Sequence, residues 1–168
     1  MILRNIKEML NQVDLLTTSE NSRILVAAGK FAMPSLIAYV DGGSLGNPGP
    51  SGIGVIIDGC DCGRIEIQKW IGHQDNNVAE YAALLEALQC ALRLGAKALH
   101  VFSDSQVVVK QMSGEYTCRS RQLYSLNWIC RKLAQSLAFS ISHVPRENNA
   151  EANNLARCAA KMRLRAAF

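Results

Sequence analysis

The chain has 168 residues, of which 49% are hydrophobic and 19% are charged, and its formal net charge is +4. These values predict one ordered globular domain with a short appendage and exclude a disordered chain. No apolar stretch approaches the roughly 18 to 20 residues that cross a bilayer, and no secretory segment opens the sequence. We therefore expect a cytoplasmic protein without a membrane partner, in which all six cysteines are reduced. The modest positive charge permits a phosphate-binding surface without requiring one.

The first 34 residues differ from the rest of the chain. Apolar residues recur there at helical spacing, and Gly29 follows a second apolar run, which predicts a helical extension over residues 1–34. Two interpretations stay open. The extension is either a substrate-binding or dimerising appendage, or a helical pair that covers an apolar patch of the main domain, which we favour. Residues 35–168 are predicted to form that domain.

Three strands are predicted at the start of the main domain, over residues 35–40, 52–58 and 64–71. Each run is short and rich in β-branched residues, and glycine-containing turns separate the runs. Short links between successive strands predict an antiparallel meander.

Helices alternate with strands in the remainder of the chain. A helix capped by Asn76 or Asn77 is predicted to end at Gly95. Further strands are predicted over 98–103 and 137–144, and further helices over 105–112, 120–134 and 150–164. Strands that are separated by helices pair in parallel. The order β-β-β-α-β-α-α-β-α therefore predicts an α/β fold with a mixed five-stranded sheet flanked by helices.

Three acidic residues are predicted to meet at one edge of this sheet. Asp41 and Asp104 end the first and fourth predicted strands. Glu80 precedes Leu84 by one helical turn, so it lies at the end of the buried stripe of its helix. Carboxylates held this close require a cation, and a site with oxygen ligands alone favours Mg²⁺ or Mn²⁺ over zinc. Considered alone, Asp41 could equally well open a turn.

Four segments carry a resemblance to a known family: YVDGGSLGNPGP, NNVAEY, VFSDSQ and HVPRENNAEANNLA. In this order they closely resemble the type 1 ribonuclease H family, over about residues 35–160. The resemblance implies a ribonuclease H-like fold and hydrolysis of the RNA strand of RNA–DNA hybrids, with 5′-phosphate and 3′-hydroxyl products. It also implies two Mg²⁺ or Mn²⁺ ions in the substrate complex: Asp41 bridges both ions, Glu80 and Asp104 hold one of them, and a fourth acid helps to hold the other.

One position departs from the family pattern. Asn153 stands where the family carries its fourth acidic ligand, and an amide offers magnesium one neutral oxygen without a negative charge. Two explanations stay open: a deliberate Asp→Asn change that traps substrate, or a natural variant with low or altered activity. Glu147 and Glu151 are nearby acids, although a helix places Glu151 on another side from Asn153. Besides a weakened nuclease, the sequence therefore allows a catalytically silent hybrid-binding module.

The resemblance implies further roles in the site. His143 lies ten residues before Asn153, which is the family spacing for a histidine that assists proton transfer or product release. A surface histidine is the alternative. The 2′-hydroxyl distinguishes RNA from DNA, and backbone that approaches a ligand closely can contact it. The expected substrate-binding residues are Gly42, Gly43, Ser44 and Asn47 in the first loop, with Asn76, Asn77 and Gln106 contacting sugars and bases by resemblance.

Overall fold

A computed structural model describes residues 35–61 and 63–162 of the chain. The helical extension predicted over residues 1–34 lies outside the described residues, as do residue 62 and residues 163–168.

The order of elements follows the predicted β-β-β-α-β-α-α-β-α sequence. The strands are β1 (Ser35–Ser44), β2 (Gly49–Asp58), β3 (Ile65–Gln74), β4 (Ala98–Ser103) and β5 (Ala138–His143). The helices are α1 (Asn76–Arg93), α2 (Gln106–Ser113), α3 (Arg121–Ala134) and α4 (Ala150–Lys161), and a short 3-10 helix at Arg146–Asn149 precedes α4.

The five strands form one mixed sheet in the order β3-β2-β1-β4-β5. The pairs β1–β2 and β2–β3 are antiparallel, whereas β1–β4 and β4–β5 are parallel. The predicted α/β fold with a mixed sheet is therefore confirmed. Since β1 is central and pairs in parallel with β4, the carboxyl end of β4 at Ser103 lies beside Val40 of β1.

Helices α1 and α4 pack on opposite faces of the sheet. Leu36, Ala38 and Val40 alternate along β1 and are fully buried on the α1 face. On the other face, β2 carries glycine where α4 passes, because a Cβ atom on Gly54 would lie 2.1 Å from the carbonyl oxygen of Ala152. The small residues on both elements thus let α4 run directly against the backbone of β2.

Strand β1 is longer than predicted. It continues through Ser44, since Gly42 and Gly43 pair with β2 in extended conformation. Asp41 therefore lies within β1 rather than at its end, and the connecting loop shrinks to residues 45–48.

The predicted cap of α1 is wrong. Asp75 occupies the N-cap position without a side-chain cap hydrogen bond. Oδ1 of Asn47 accepts a hydrogen bond from the backbone N–H of Asn76 at 2.9 Å, so a side chain from the β1–β2 loop satisfies this first-turn donor.

The cysteines also depart from expectation at one position. Cys60, in the turn between β2 and β3, is disulfide-bonded, so the prediction of six reduced thiols is wrong. Cys90, Cys118, Cys130 and Cys158 are free. Among the helices that the structure describes, none combines the length and the apolar character that crossing a membrane requires.

Candidate active site

Strand pairing brings Asp41 and Asp104 together. Val40 of β1 is the partner of Ser103 of β4 in parallel register. Asp41 and Asp104 directly follow these two paired residues, so they lie next to each other. Asp41 is only 3% exposed. Its partner residue on the adjacent strand β2 is Gly54, and both face the side of the sheet that α4 covers. The aspartate carboxyls thus lie at the junction of β1, β4 and α4.

Glu80 reaches the same junction from α1 because Gly42 lets the helix approach the strand. A Cβ atom on Gly42 would lie 2.0 Å from the backbone carbon of Ala79, so no residue with a side chain fits there without movement of the backbone. The N–H of Gly42 donates to Oε2 of Glu80 at 3.3 Å. This hydrogen bond fixes the buried carboxyl beside the aspartates.

The three carboxyls form one cluster. One oxygen from each of Asp41, Glu80 and Asp104 lies within 4.8 Å of the other two, as the sequence predicted. Burial, followed by the charge of Asp104, raises the pKa of Asp41 to about 7. Burial, followed by the charges of both aspartates, raises the pKa of Glu80 well above its usual range. Such a set of oxygen donors fits a divalent cation, which would remove the repulsion that otherwise favours protonation.

Asn153 of α4 lies between this cluster and Arg146. With the amide oxygen directed toward the guanidinium, that oxygen accepts hydrogen bonds from Arg146 Nη2 at 2.7 Å and from Nε at 3.2 Å. The opposite orientation gives only one long bond, 3.4 Å from Nδ2 to Oδ2 of Asp41, and sets the amide nitrogen against two donors. We adopt the first orientation because it satisfies more hydrogen-bonding groups.

The acidic cluster and Asn153 line one cavity, and two arginines that the sequence analysis missed also line it beside Asn153. Arg146 lowers the pKa values of Asp41 and Glu80 through its charge, although burial outweighs it. Arg157 also lines the cavity, four residues beyond Asn153 on α4. That helical spacing was a signal available in the sequence, whereas the placement of Arg146 depends on the short 3-10 helix. Glu151 is exposed and forms an ion pair with Arg64, so it does not replace the missing acid.

Asn149 is a further residue that the sequence did not reveal. It is 2% exposed, and its Nδ2 donates to Oδ1 of Asp104 and to the carbonyl oxygen of Val40, both at 2.9 Å. One amide group therefore ties the carboxyl after β4 to the backbone just before Asp41. Its own Oδ1 is buried without a hydrogen-bond partner among the described residues.

The expected substrate-binding residues divide into two groups. Gly42, Gly43, Ser44 and Asn76 line the same cavity of about 190 Å³ as the acidic cluster and Asn153. The N–H of Ser44 donates to Oδ1 of Asn76 at 3.3 Å, which orients that side chain. Asn47 instead supports the start of α1, and Asn77 does not line the cavity.

His143 and Gln106 lie elsewhere. Both line a second cavity of about 350 Å³, formed by α2, the residues that follow it, and β5. The exposed His143 ends β5 beside Ser103 of β4. The structure therefore does not bring His143 into the cavity of the acidic cluster, and its role stays a prediction.

Comparisons with known proteins place these motifs in a family. Residues 39–159 match the family model described as Reverse transcriptase-like. The bifunctional protein Rv2228c of Mycobacterium tuberculosis is 39% identical over 124 residues, which are 72% of this chain and 34% of that protein. Ribonuclease HI of Halobacterium salinarum is 39% identical over 121 residues, or 71% of this chain and 61% of that protein. The chain thus spans about a third of the mycobacterial relative.

Solved structures agree with the sequence matches. RNase H1 from Halobacterium salinarum is 38% identical with a TM-score of 0.70, and the match covers 74% of this chain and 96% of that one. A structure of LC11-RNase H1 in complex with an RNA/DNA hybrid is 35% identical with a TM-score of 0.71, and covers 77% of this chain and 99% of that one.

Proposed function

This chain belongs to the type 1 ribonuclease H family, and we propose that it hydrolyses the RNA strand of RNA–DNA hybrids to 5′-phosphate and 3′-hydroxyl ends. The observation that carries this proposal is the buried cluster of Asp41, Glu80 and Asp104 in a cavity edged by the glycine backbone of β1. The LC11-RNase H1 complex supports the substrate class, because that similar protein binds an RNA/DNA hybrid.

We assign Mg²⁺ or Mn²⁺ to the acidic cluster, with two ions in the substrate complex. Asp41, Glu80 and Asp104 would hold them, and Asn153 would offer a neutral oxygen at the fourth position. When bound, the cations supply positive charge to the phosphodiester and make water a stronger nucleophile. Asp41 and Glu80 must lose their protons for this, and the positive charge of Arg146 favours that loss.

Asn149 acts as a positioning residue in this proposal. An amide N–H only donates, so this hydrogen bond fixes the position of one oxygen of the Asp104 carboxyl. Its second hydrogen bond joins the same amide nitrogen to the backbone carbonyl oxygen of Val40 in β1. Asn149 therefore fixes the position of the Asp104 carboxyl relative to β1. Loss of a residue that orients a metal ligand typically costs about 10- to 100-fold in metal affinity or activity.

Recognition of the hybrid is assigned to the cavity wall beside the cluster. A Cβ atom on Gly43 would meet nothing within 4 Å, so this stretch of backbone is open to an approaching sugar. Asn76, oriented by Ser44, supplies an amide at the same edge. Together these groups can contact the 2′-hydroxyl, which is both a donor and an acceptor.

A second candidate function is supported by the pairing of Asn153. Its oxygen accepts two hydrogen bonds from Arg146, which leaves less electron density for a cation. With one ligand neutral and already engaged, the chain would bind hybrids and cleave them slowly or not at all. The two functions share one binding site and differ in turnover.

A cleavage assay with matched duplexes tests the proposal. One end-labelled sequence is offered as RNA–DNA hybrid, double-stranded RNA and double-stranded DNA, with Mg²⁺ or Mn²⁺. We expect RNA cleavage in the hybrid alone, with 5′-phosphate ends, and hybrid affinity that exceeds duplex DNA affinity and falls with salt. Hybrid binding without cleavage in either metal would support the silent module. Equal affinity for the hybrid and for double-stranded DNA would contradict the assignment of hybrid recognition to Gly43 and Asn76.

A further inference from the structure

The solvent face of α3 combines aromatic and basic side chains. Tyr124 and Trp128 are 61% and 45% exposed, which is unusual for large rings. Arg121, Arg131 and Lys132 are also exposed, and the helix contains no acidic residue. This surface is therefore both aromatic and purely cationic.

Helical geometry arranges four of these side chains in one line. At about 100° per residue, Arg121, Tyr124, Trp128 and Lys132 fall within roughly 80° of arc and extend over roughly 16 Å. We call these four residues the α3 stripe. The ammonium group of Lys132 lies 5.9 Å from the ring centroid of Trp128, so aromatic and cationic groups are interleaved along it.

The fold does not require the α3 stripe. The inner face of α3 is fully packed, with Leu123, Leu126, Ile129, Cys130 and Leu133 buried. Nδ2 of Asn127 on that face donates to the hydroxyl of Tyr81 at 2.9 Å, which joins α3 to α1. Arg121 even opposes helix stability, because a cation in the first turn meets the positive end of the helix dipole. The four side chains of the α3 stripe therefore contribute little to the packing of the described fold.

The α3 stripe is distinct from the acidic cavity. Tyr81 follows Glu80 on α1, and α3 packs on the side of α1 that Tyr81 faces. None of the four stripe residues lines the cavity of the acidic cluster. A ligand bound to the α3 stripe would therefore bind apart from the acidic cluster.

We propose that the α3 stripe binds single-stranded nucleic acid. Bases stack on exposed aromatic rings irrespective of sequence, and neighbouring cations neutralise the phosphates. The interval of roughly 16 Å is long enough for several nucleotides. A second copy of this chain fits less well, because a symmetric contact would set Arg121, Arg131 and Lys132 against the same cations.

Fluorescence anisotropy of a labelled 15-nucleotide oligothymidylate with the full chain tests this inference. Trp128→Ala is expected to weaken binding about fivefold or more, and Trp128→Phe to restore part of the loss, because a ring remains for stacking. Lys132→Ala should lower the slope of log affinity against log salt by about 0.7, which corresponds to one phosphate contact. Lys97→Ala, an exposed lysine in the link before β4, is the control and should change neither quantity.

The inference is overturned if the oligonucleotide does not bind, or if Trp128→Ala and Lys132→Ala bind it as the unaltered chain does. It is also overturned if light scattering shows that Trp128→Ala abolishes self-association, since the stripe would then be an interface between copies. The test does not depend on the proposed hydrolysis. Cleavage of a blunt-ended hybrid reports the acidic cavity and should be similar in all four variants.

Discussion

The two sides of the cavity differ in charge. On one side three carboxyls, those of Asp41, Glu80 and Asp104, lie together, and burial raises the pKa values of two of them. On the other side the neutral Asn153 is hydrogen-bonded to the cation Arg146. The difference indicates that a divalent cation beside the three acids would be held firmly, and one beside the amide weakly. The predictions below test this asymmetry.

The largest effect is expected from the acidic side. Asp41→Asn should reduce hybrid cleavage at least about a thousandfold, because the charge of a carboxylate that would hold the cations is worth several kcal/mol in the transition state. The same change should stabilise the metal-free protein at pH 8 by roughly 1 to 3 kcal/mol. The pKa of Asp41 is raised from 3.8 to about 7, so the stability that its protonated form contributes is lost as the pH rises between these values and is absent at pH 8. Denaturant unfolding without metal measures this. Unchanged stability would mean that burial and the charge of Asp104 do not disfavour the ionised form of Asp41.

The pH dependence follows from the same carboxyl. Below pH 7 a proton occupies Asp41 and competes with the cation, since its pKa is raised to about 7. At subsaturating Mg²⁺, cleavage should therefore fall about tenfold per pH unit from pH 7 to pH 5. Saturating Mg²⁺ should move the midpoint to lower pH. A profile that is flat from pH 5 to pH 8 at low Mg²⁺ would contradict the raised pKa.

Asn149 offers a smaller test of how the acidic side is held. Asn149→Ala removes the donor to Asp104, and we expect Mn²⁺ affinity to fall about tenfold, as for other residues that orient metal ligands. Electron paramagnetic resonance of free Mn²⁺ measures this without turnover. The control is Asn148→Ala, because Asn148 is exposed. Equal affinity in both variants would leave Asn149 without a positioning role.

The smallest effect is expected from Arg146. Arg146→Gln removes a charge that lowers the pKa values of Asp41 and Glu80. The midpoint of the pH profile should move upward by a few tenths of a unit, which is about twofold in rate near neutrality. The effect is small because the arginine is exposed and solvent screens it. A downward shift would show that its charge does not act on the cluster.

The sequence predicted the acidic side better than the amide side. Asp41 and Asp104 follow paired strand positions, and Glu80 faces the sheet by helical periodicity, so regular geometry sufficed. Arg146 and Asn149 lie in a 3-10 helix between β5 and α4, whose path no periodic pattern predicts. The same reason explains the position of Asp41 within β1, since two glycines that usually mark a turn are extended there. His143 lies outside the cavity although its sequence spacing matched the family.

A magnesium titration of hybrid cleavage by the unaltered chain, Asn153→Asp and Asn154→Asp tests the asymmetry most directly. Asn154 is the exposed neighbour and controls for added charge. We predict that Asn153→Asp cleaves tenfold faster or more at low Mg²⁺, because a loss of about 1.4 kcal/mol already corresponds to tenfold. Mn²⁺ should restore part of the activity of the unaltered chain. The control variant Asn154→Asp should cleave at the same rate as the unaltered chain. Equal rates for Asn153 and its Asp variant, at low and at saturating Mg²⁺ alike, would show that position 153 does not belong to the metal site.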